Sequence, residues 1–552
     1  MLRGLMMDRP LLISSIIDFA AEIRSDTEIV SARVEGDLHR YTYAGSRRRI
    51  AQLAHWLQDH GIKPGDRVAT LAWNGYRHFE LYYAIAGIGA VCHTINPRLF
   101  PDQITYIVNH AEDRLLFVDG TFAPLVEKLA GSLPKDMRTV VMTDRGHMPE
   151  NALTYALCYE ELLAGQPETI DWPEFDENSA AGLCYTSGTT GNPKGVLYSH
   201  RSTILHTLGV LAVADGIGLR PGQSILPVVP LFHVNAWGLP YLMPLTGTKI
   251  VFPGPRLDGP NLFALLDQES VTAAWGVPTV WLGLAAEMRK QGRAPAGLQV
   301  VLTGGSAAPG PLIRELELNY GLNITHGWGM TEMSPVGSLT VLNKKMRNQP
   351  REEQLPYKAS QGRRLFGCDL KIVGEDGKRL PHDGVAFGEL LVRGPAVMSA
   401  YFNDDDANAA SHDAEGWLRT GDVARIDPDG FLFIVDRTKD VIKSGGEWIS
   451  SIDLENAAIG HPAIQECAVI AAPHPKWSER PLLIAVLKEG QTATAEEVRG
   501  FLADKVAKWW LPDDVLFVAE LPHTATGKLS KLQLREQFKD HVLPTIAEQP
   551  TP

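Results

Sequence analysis

The chain reads as an α/β protein: a large domain of parallel-rich sheets over residues 1–436, its last part (340–436) barrel-like and antiparallel, then a small α+β domain over 437–552. Three observations carry that reading. At 552 residues the chain exceeds what one hydrophobic core usually organises. From about residue 40 to 335, short apolar runs alternate with helical periodicity, the pattern of parallel strands covered by helices on both faces. After residue 340 the texture changes to short runs broken by Asp-Gly pairs.

In chain order, the apolar run 11–17 is stopped by Asp18 and predicts a first buried helix. It is too short to span a membrane and lacks a small-residue cleavage site. Runs 67–73, 115–118, 140–142, 180–184, 250–252, 271–275 and 300–303 predict strands. Ser199 is placed to cap a helix whose apolar face is Ile204, Leu205, Leu208, Leu211 and Ala212. Ligand chemistry belongs at the carboxyl ends of such parallel strands, where Thr186, Gly304 and Gly305 fall. Asp376-Gly377, Asp383-Gly384 and Asp429-Gly430 are hairpin signals. Beyond Asp436, the runs 467–470 and 482–486 predict strands mixed with helices.

The formal charge of −13 argues against a phosphate backbone as the main partner, so no nucleic-acid partner is expected. The cysteines, Cys92, Cys158, Cys184, Cys368 and Cys467, are odd in number and without C-x-x-C spacing. A reducing cytoplasm is the expected location.

The most informative stretch is YTSGTTGNPKG, residues 185–195, directly after an apolar run. Gly188 and Gly191 let backbone N–H groups approach an anion, Thr186, Ser187, Thr189 and Thr190 add hydroxyl donors, and Lys194 adds charge. A loop of this kind holds polyphosphate oxygens. It is not a Walker A loop, because Pro193 stands where that motif needs its second glycine and Gly195 follows Lys194.

With this loop, further strings occur in order: PLFHVNAWG (230–238), HGWGMTEMSP (326–335), GELLVRG (388–394), WLRTGD (417–422), DRTKDVIKSGGEWIS (436–450) and PHTATGKLSK (522–531). Together they resemble the superfamily of acyl-CoA synthetases, peptide-synthetase adenylation domains and beetle luciferases, over nearly the whole chain. The resemblance implies an ATP-dependent carboxylic acid:CoA ligase that forms an acyl-adenylate and then acyl-CoA, releasing AMP and pyrophosphate, with Mg²⁺ as cofactor. It implies Lys528 on the carboxylate and α-phosphate during adenylation and Glu332 as the Mg²⁺ ligand beside Thr331. Gly305, Ser306, Ala307, His326, Gly327, Trp328, Gly329 and Met330 would surround the nucleotide, with Trp328 along the adenine. Asp422 and Arg437 match the positions that bind the ribose hydroxyls. Lys439 matches the hinge of a mobile C-terminal lid, and Lys443, Gly445, Gly446, Glu447 and Trp448 would form part of the coenzyme A path.

Amino-acid-activating relatives carry an Asp where this chain has His233, so a free α-amino group would lack its counter-ion. The C-terminal residues EQPTP are no peroxisomal address, nothing distinguishes an oxygenase, and no carrier domain follows. Acetate-activating relatives close the acyl pocket with a tryptophan at the position of Gly329, so an extended pocket is expected, bounded by Gly304, Gly329, Pro335 and Trp237. Trp237 resembles the gating tryptophan of medium- and long-chain synthetases, and His233 is expected among the catalytic residues with Lys528, Glu332 and Thr331. The expected substrates are medium- to long-chain fatty acids. Short acids such as 3-methylmercaptopropionate, and loading of a separate carrier protein, stay open, as does a homodimer. A non-enzymatic lipid-binding protein is disfavoured by the intact Lys528, Glu332 and phosphate loop.

Overall fold

The computed structural model describes residues 1–149, 153, 156–186, 192–445, 447–523 and 529–547. Among these, two parallel-rich sheets face each other. One runs Leu157–Cys158, Arg138–Val141, Leu115–Val118, Arg67–Leu71, Val91–Thr94, Ala180–Tyr185 and Gly195–Ser199, all parallel except the last pairing. The other runs Arg363–Arg364, Val336–Leu339, Asn323–Gly329, Val300–Thr303, Ala273–Gly276, Ser224–Pro227, Lys249–Phe252, Glu28–Ala32 and Leu38–Thr42, parallel through its centre. The predicted strands therefore form, and the residues that follow Ala180–Tyr185, Val300–Thr303 and Asn323–Gly329 line one cavity.

Helix Tyr76–Gly87 lies in the core, and all twelve of its residues are buried. It touches strands of both sheets, so it has no solvent face on which to carry polar residues, and its own polar groups must find partners inside. Tyr82 and Tyr83 do so by donating to the carbonyls of Leu231 and Pro240. Helix His200–Leu211 starts where predicted, with the Ser199 side chain accepting from the Ser202 N–H. The apolar run 11–17 enters helix Ser14–Ile23, and no described helix is long and apolar enough to cross a membrane.

The region 340–436 divides. Residues 363–364 extend the larger parallel sheet, whereas Asp369–Val373, Phe387–Arg393, Leu418–Ile426 and Leu432–Arg437 form an antiparallel four-stranded sheet with its own core of Leu370, Ile372, Leu390, Val392 and Leu432. The Asp-Gly glycines at 377, 384 and 430 all hold positive φ, as hairpin turns demand. The last sheet begins with the hairpin Ile442–Ser444 and Glu447–Ile449 and is completed by Ile464–His474, Ser478–Leu487 and Asp514–Phe517.

Candidate active site

A cavity of about 500 Å³ opens where the two parallel sheets, the four-stranded sheet and the segment before the last sheet meet. Its polar end is lined by Thr186, Lys194, Thr331, Glu332, Arg437 and Lys439. Gly305 and the stretch Gly327, Trp328, Gly329 and Met330 form the middle. His233, Trp237, Gly304 and Pro335, with Leu302, Val336 and Leu339, form an apolar end. Residues separated by more than two hundred positions in sequence thus share one hollow.

At the polar end Thr186 and Lys194 close the neck of the phosphate loop, with the Thr186 N–H donating to the Lys194 carbonyl at 2.9 Å and the Lys194 N–H to Thr186 Oγ1 at 3.1 Å. Ser187, Gly188, Thr189, Thr190 and Gly191 lie outside the described residues, as do Gly446 and Lys528. The Lys194 ammonium sits over the Tyr401 ring, 5.1 Å from its centre, and the Tyr401 hydroxyl donates to Glu332 Oε1 at 2.8 Å. Glu332 is buried, and that burial pushes its carboxyl pKa up against the opposing pull of Tyr401 and Arg437. Tyr401 was not among the residues expected from sequence. It sits in an irregular stretch, and what brings it here is a long-range bridge in which the Phe402 N–H donates to the Gly195 carbonyl at 2.8 Å.

Asp422 has both carboxylate oxygens engaged: Trp328 Nε1 donates to one at 2.8 Å and Arg437 lies 2.9 Å from the other. The Asp422 carboxylate in turn raises the Arg437 pKa. Trp328 lines the cavity and also packs in the core beneath the four-stranded sheet, beside Met333 and Cys368. Asp422 itself is buried behind it.

His326 differs from expectation. Its side chain is buried inside its strand, with Nδ1 3.3 Å from the Ala359 carbonyl and the Ser306 backbone on another side, and burial lowers its pKa to about 4. It does not line the cavity; it supports the loop holding Gly305 and Ser306 from below. Ser306 and Ala307 are not in the lining either. Lys443, Gly445, Glu447 and Trp448 belong to the first hairpin of the last sheet and are not in the cavity lining, with Trp448 packed 5.7 Å from the Phe387 ring. At Gly445, φ is +62° and an added Cβ would lie 2.9 Å from Trp477, so a side chain there is strained and crowded.

The apolar end is shaped by backbone. Val234, Asn235, Ala236 and Trp237 hold φ of 48°, 52°, 45° and 58°, followed by Gly238 at 86°. A left-handed residue other than glycine costs roughly 1–2 kcal/mol, so this turn survives only because its surroundings dictate it. The Ala236 N–H donates to the Pro230 carbonyl at 3.1 Å. Asn235 Oδ1 accepts from the Tyr82 hydroxyl at 3.1 Å and the Cys184 thiol at 3.4 Å. Upstream, the buried Asn74 side chain donates to the carbonyls of Pro227 and Val229 and accepts from the Leu231 N–H.

Gly329 also changes meaning. A Cβ there would stand 2.1 Å from the Pro335 carbonyl oxygen and 3.1 Å from the Val336 Cα. The missing side chain admits a close backbone approach, in which the Met330 N–H donates to that Pro335 carbonyl at 3.1 Å. It does not leave a void that a tryptophan could fill. At Gly304, an added Cβ would meet the Gly327 carbonyl oxygen at 2.9 Å and the Trp237 indole at 3.4 Å, so Trp237 lies directly over this glycine.

Known proteins resemble this chain over most of its length. Residues 18–402 match the family model of the AMP-binding enzyme and residues 453–528 that of the AMP-binding enzyme C-terminal domain. The chain is 49% identical to a 3-methylmercaptopropionyl-CoA ligase of Ruegeria lacuscaerulensis, covering 97% of this chain and 99% of the relative. It is 48% identical to a medium-chain-fatty-acid–CoA ligase of Ectopseudomonas oleovorans, covering 98% of each. The structure superposes on that of an anthranilate CoA ligase in complex with anthranoyl-AMP with a TM-score of 0.84 at 26% identity, covering 96% of this chain and 98% of the other. A family model spanning most of the chain and relatives this similar over their full lengths lead to one conclusion: the chain belongs to the AMP-binding enzyme family, among its AMP-forming acid–CoA ligases.

Proposed function

We propose that the protein activates medium- to long-chain fatty acids in two steps at this one cavity. A carboxylate oxygen attacks the α-phosphorus of ATP and displaces pyrophosphate; the thiol of coenzyme A then attacks the acyl carbonyl and displaces AMP. The observation that carries the reading is the continuity of a cationic, hydroxyl-rich end at Lys194, Tyr401 and Arg437 with an apolar end at Trp237, Leu302 and Val336. Both partners of the first step are anionic, so cations must converge where they meet. Lys194 and Arg437 supply two, and Lys528 is proposed as the third, bridging carboxylate and α-phosphate.

Among the described residues no group of three or more His, Cys, Asp or Glu could hold a metal. Mg²⁺ fits this donor set because it is usually held by one or two carboxylates together with substrate phosphates. Glu332, fixed on one side by Tyr401, is the carboxylate we assign to it. The ion's chemistry would be to neutralise charge on the transferring phosphate.

The ribose hydroxyls are assigned to Asp422 and Arg437, where the diol must share an acceptor already held by Trp328. The domain boundary is assigned after Asp436, with Lys439, which lines the cavity, as the hinge. A rotation there would exchange Lys528 for the 443–448 hairpin and admit the thiol. Five buried free cysteines support a reducing, cytoplasmic setting.

The second reading, a 3-methylmercaptopropionate or other short-acid ligase, is favoured by the relative of that specificity at 49% identity. A panel of acids from acetate upward, with 3-methylmercaptopropionate included, decides between them when acyl-CoA is read by mass and AMP by chromatography. Highest kcat/KM at eight or more carbons supports the first reading; a maximum at 3-methylmercaptopropionate supports the second. Formation of ADP would overturn both. Product appearing only when a carrier protein replaces coenzyme A would reassign the acceptor.

A further inference from the structure

Among the described residues, Val234–Gly238 is the one place where four residues other than glycine hold positive φ in succession. Left-handed turns are disfavoured because each Cβ crowds the following carbonyl. Such a turn has an alternative: without its tethers, it relaxes toward ordinary backbone angles and carries its side chains elsewhere. Trp237 is the large side chain on it, and it lies against Gly304 at the apolar end of the cavity.

The tethers converge on Asn235. Its Oδ1 takes the Tyr82 hydroxyl at 3.1 Å and the Cys184 thiol at 3.4 Å, and all three residues are buried. The Tyr82 hydroxyl has a single proton, which it shares between Asn235 Oδ1 and the nearer Leu231 carbonyl. Tyr82 stands on the helix buried between the sheets, and Cys184 on the strand leading into the phosphate loop, so both anchors belong to rigid elements. Asparagine is also among the few residues that accept left-handed angles readily. Its identity therefore serves the turn twice, through its backbone and through its amide oxygen.

We propose that Asn235, anchored by Tyr82 and Cys184, is a positioning residue for acyl-chain selection: it latches the left-handed turn so that Trp237 walls the apolar end of the cavity against longer chains. The proposal rests on the reading that Trp237 bounds the acyl end. Asn235 does not line the cavity, so its effect on selectivity passes through Trp237.

Asn235→Gly separates the two roles of the side chain, because glycine keeps the left-handed angles without strain and loses only the amide. Tyr82→Phe removes one donor and keeps the ring. The full-length protein is labelled with fluorotryptophan, and the Trp237 resonance is assigned by its loss in Trp237→Phe. In Asn235→Gly that resonance should shift or broaden. The ratio of kcat/KM for octanoate to that for propionate should rise about tenfold, with Tyr82→Phe giving a smaller change in the same direction. In combination with Trp237→Ala, Asn235→Gly should add no further change, because a latch has no effect without its bolt.

A Trp237 resonance unmoved in both variants overturns the latch. A ratio change that adds in full to that of Trp237→Ala overturns transmission through Trp237. If Trp237→Ala alone leaves the ratio unaltered, the failed idea is the acyl wall itself, while the resonance still reports on the latch. Should Asn235→Gly fail to fold, Tyr82→Phe carries both measurements.

Discussion

The two ends of the cavity are held in different ways. At the phosphate end, side chains from distant elements are locked by charge and hydrogen bonds: Lys194 over Tyr401, Tyr401 on Glu332, and Arg437 and Trp328 on Asp422. At the acyl end the shape comes from backbone, at the left-handed turn tethered by the neutral side chains of Asn235, Tyr82 and Cys184 and at Gly304; Gly329, in the middle of the cavity, likewise has no room for a Cβ. Charge-based sites tolerate small shifts in backbone as long as the groups converge; backbone-shaped sites do not. Substitutions at the phosphate end should therefore change the chemistry and leave the fold, whereas substitutions at the acyl end should cost stability as well.

The largest expected effect is at Lys528. Lys528→Ala should lower the adenylation half-reaction by at least about a hundredfold, the scale for one electrostatic stabiliser. It should still convert supplied acyl-adenylate to thioester, with Tm nearly unchanged. Pyrophosphate exchange and single-turnover thioester formation measure the two halves separately; equal loss in both would remove Lys528 from the first step.

Gly329→Ala tests the part of the cavity that backbone shapes. Its Cβ would meet backbone at 2.1 Å and has no flexible neighbour to push aside. Overpacking of this kind costs about 1–3 kcal/mol, so Tm should fall and acids of every length should suffer together. A selective loss of long acids with Tm intact would restore Gly329 as a chain-length determinant. Tyr401→Phe lies between these extremes. Removing the hydroxyl that fixes Glu332 should raise the Mg²⁺ concentration for half-maximal MgATP binding by about tenfold, the lower end of outer-shell effects on metal sites. Calorimetric titration of MgATP at several Mg²⁺ levels provides the measurement, and an unchanged Mg²⁺ dependence would separate Tyr401 from the ion.

The same contrast explains what could be read in the sequence. The parallel strands, the Ser199 cap and the hairpin glycines were legible because each depends on periodicity or on one local conformation. Thr186, Lys194, Glu332 and Arg437 were legible as charged or hydroxyl groups inside recognisable strings, and all four line the cavity. Tyr401 was not, since only a long-range bridge to Gly195 brings it to Glu332. His326 stood in a functional string yet points into the protein, because a strand alternates its faces and neighbouring residues look opposite ways. Gly329 was misread for a related reason: a sequence reveals that a side chain is missing, but not which atoms occupy the space it would need. The left-handed turn leaves little trace, its compatible signals being an asparagine and the glycine that ends it.

The smallest predicted effect concerns acid. His206 is buried beneath the acyl end, where its Nε2 accepts from the Val336 N–H at 3.0 Å and its ring packs against Gly238. Accepting that bond requires the neutral ring, and burial lowers the His206 pKa from 6.5 to about 4. The unfolded chain therefore binds a proton that the folded chain refuses between these values, so stability is complete above pH about 6.5 and declines as pH falls toward about 4. At pH 6 the loss from this one group is only about 1 kcal/mol. His206→Gln keeps a hydrogen-bond acceptor and cannot titrate, so it should flatten the fall of unfolding free energy between pH 7 and pH 5, measured by denaturant titration, by at most one proton's worth. The phosphate end offers the control. Lys194→Met removes a charge without touching a buried histidine and should leave that slope as it is. Equal slopes in wild type and His206→Gln would show that the acyl end is not the acid-sensitive part of the pair.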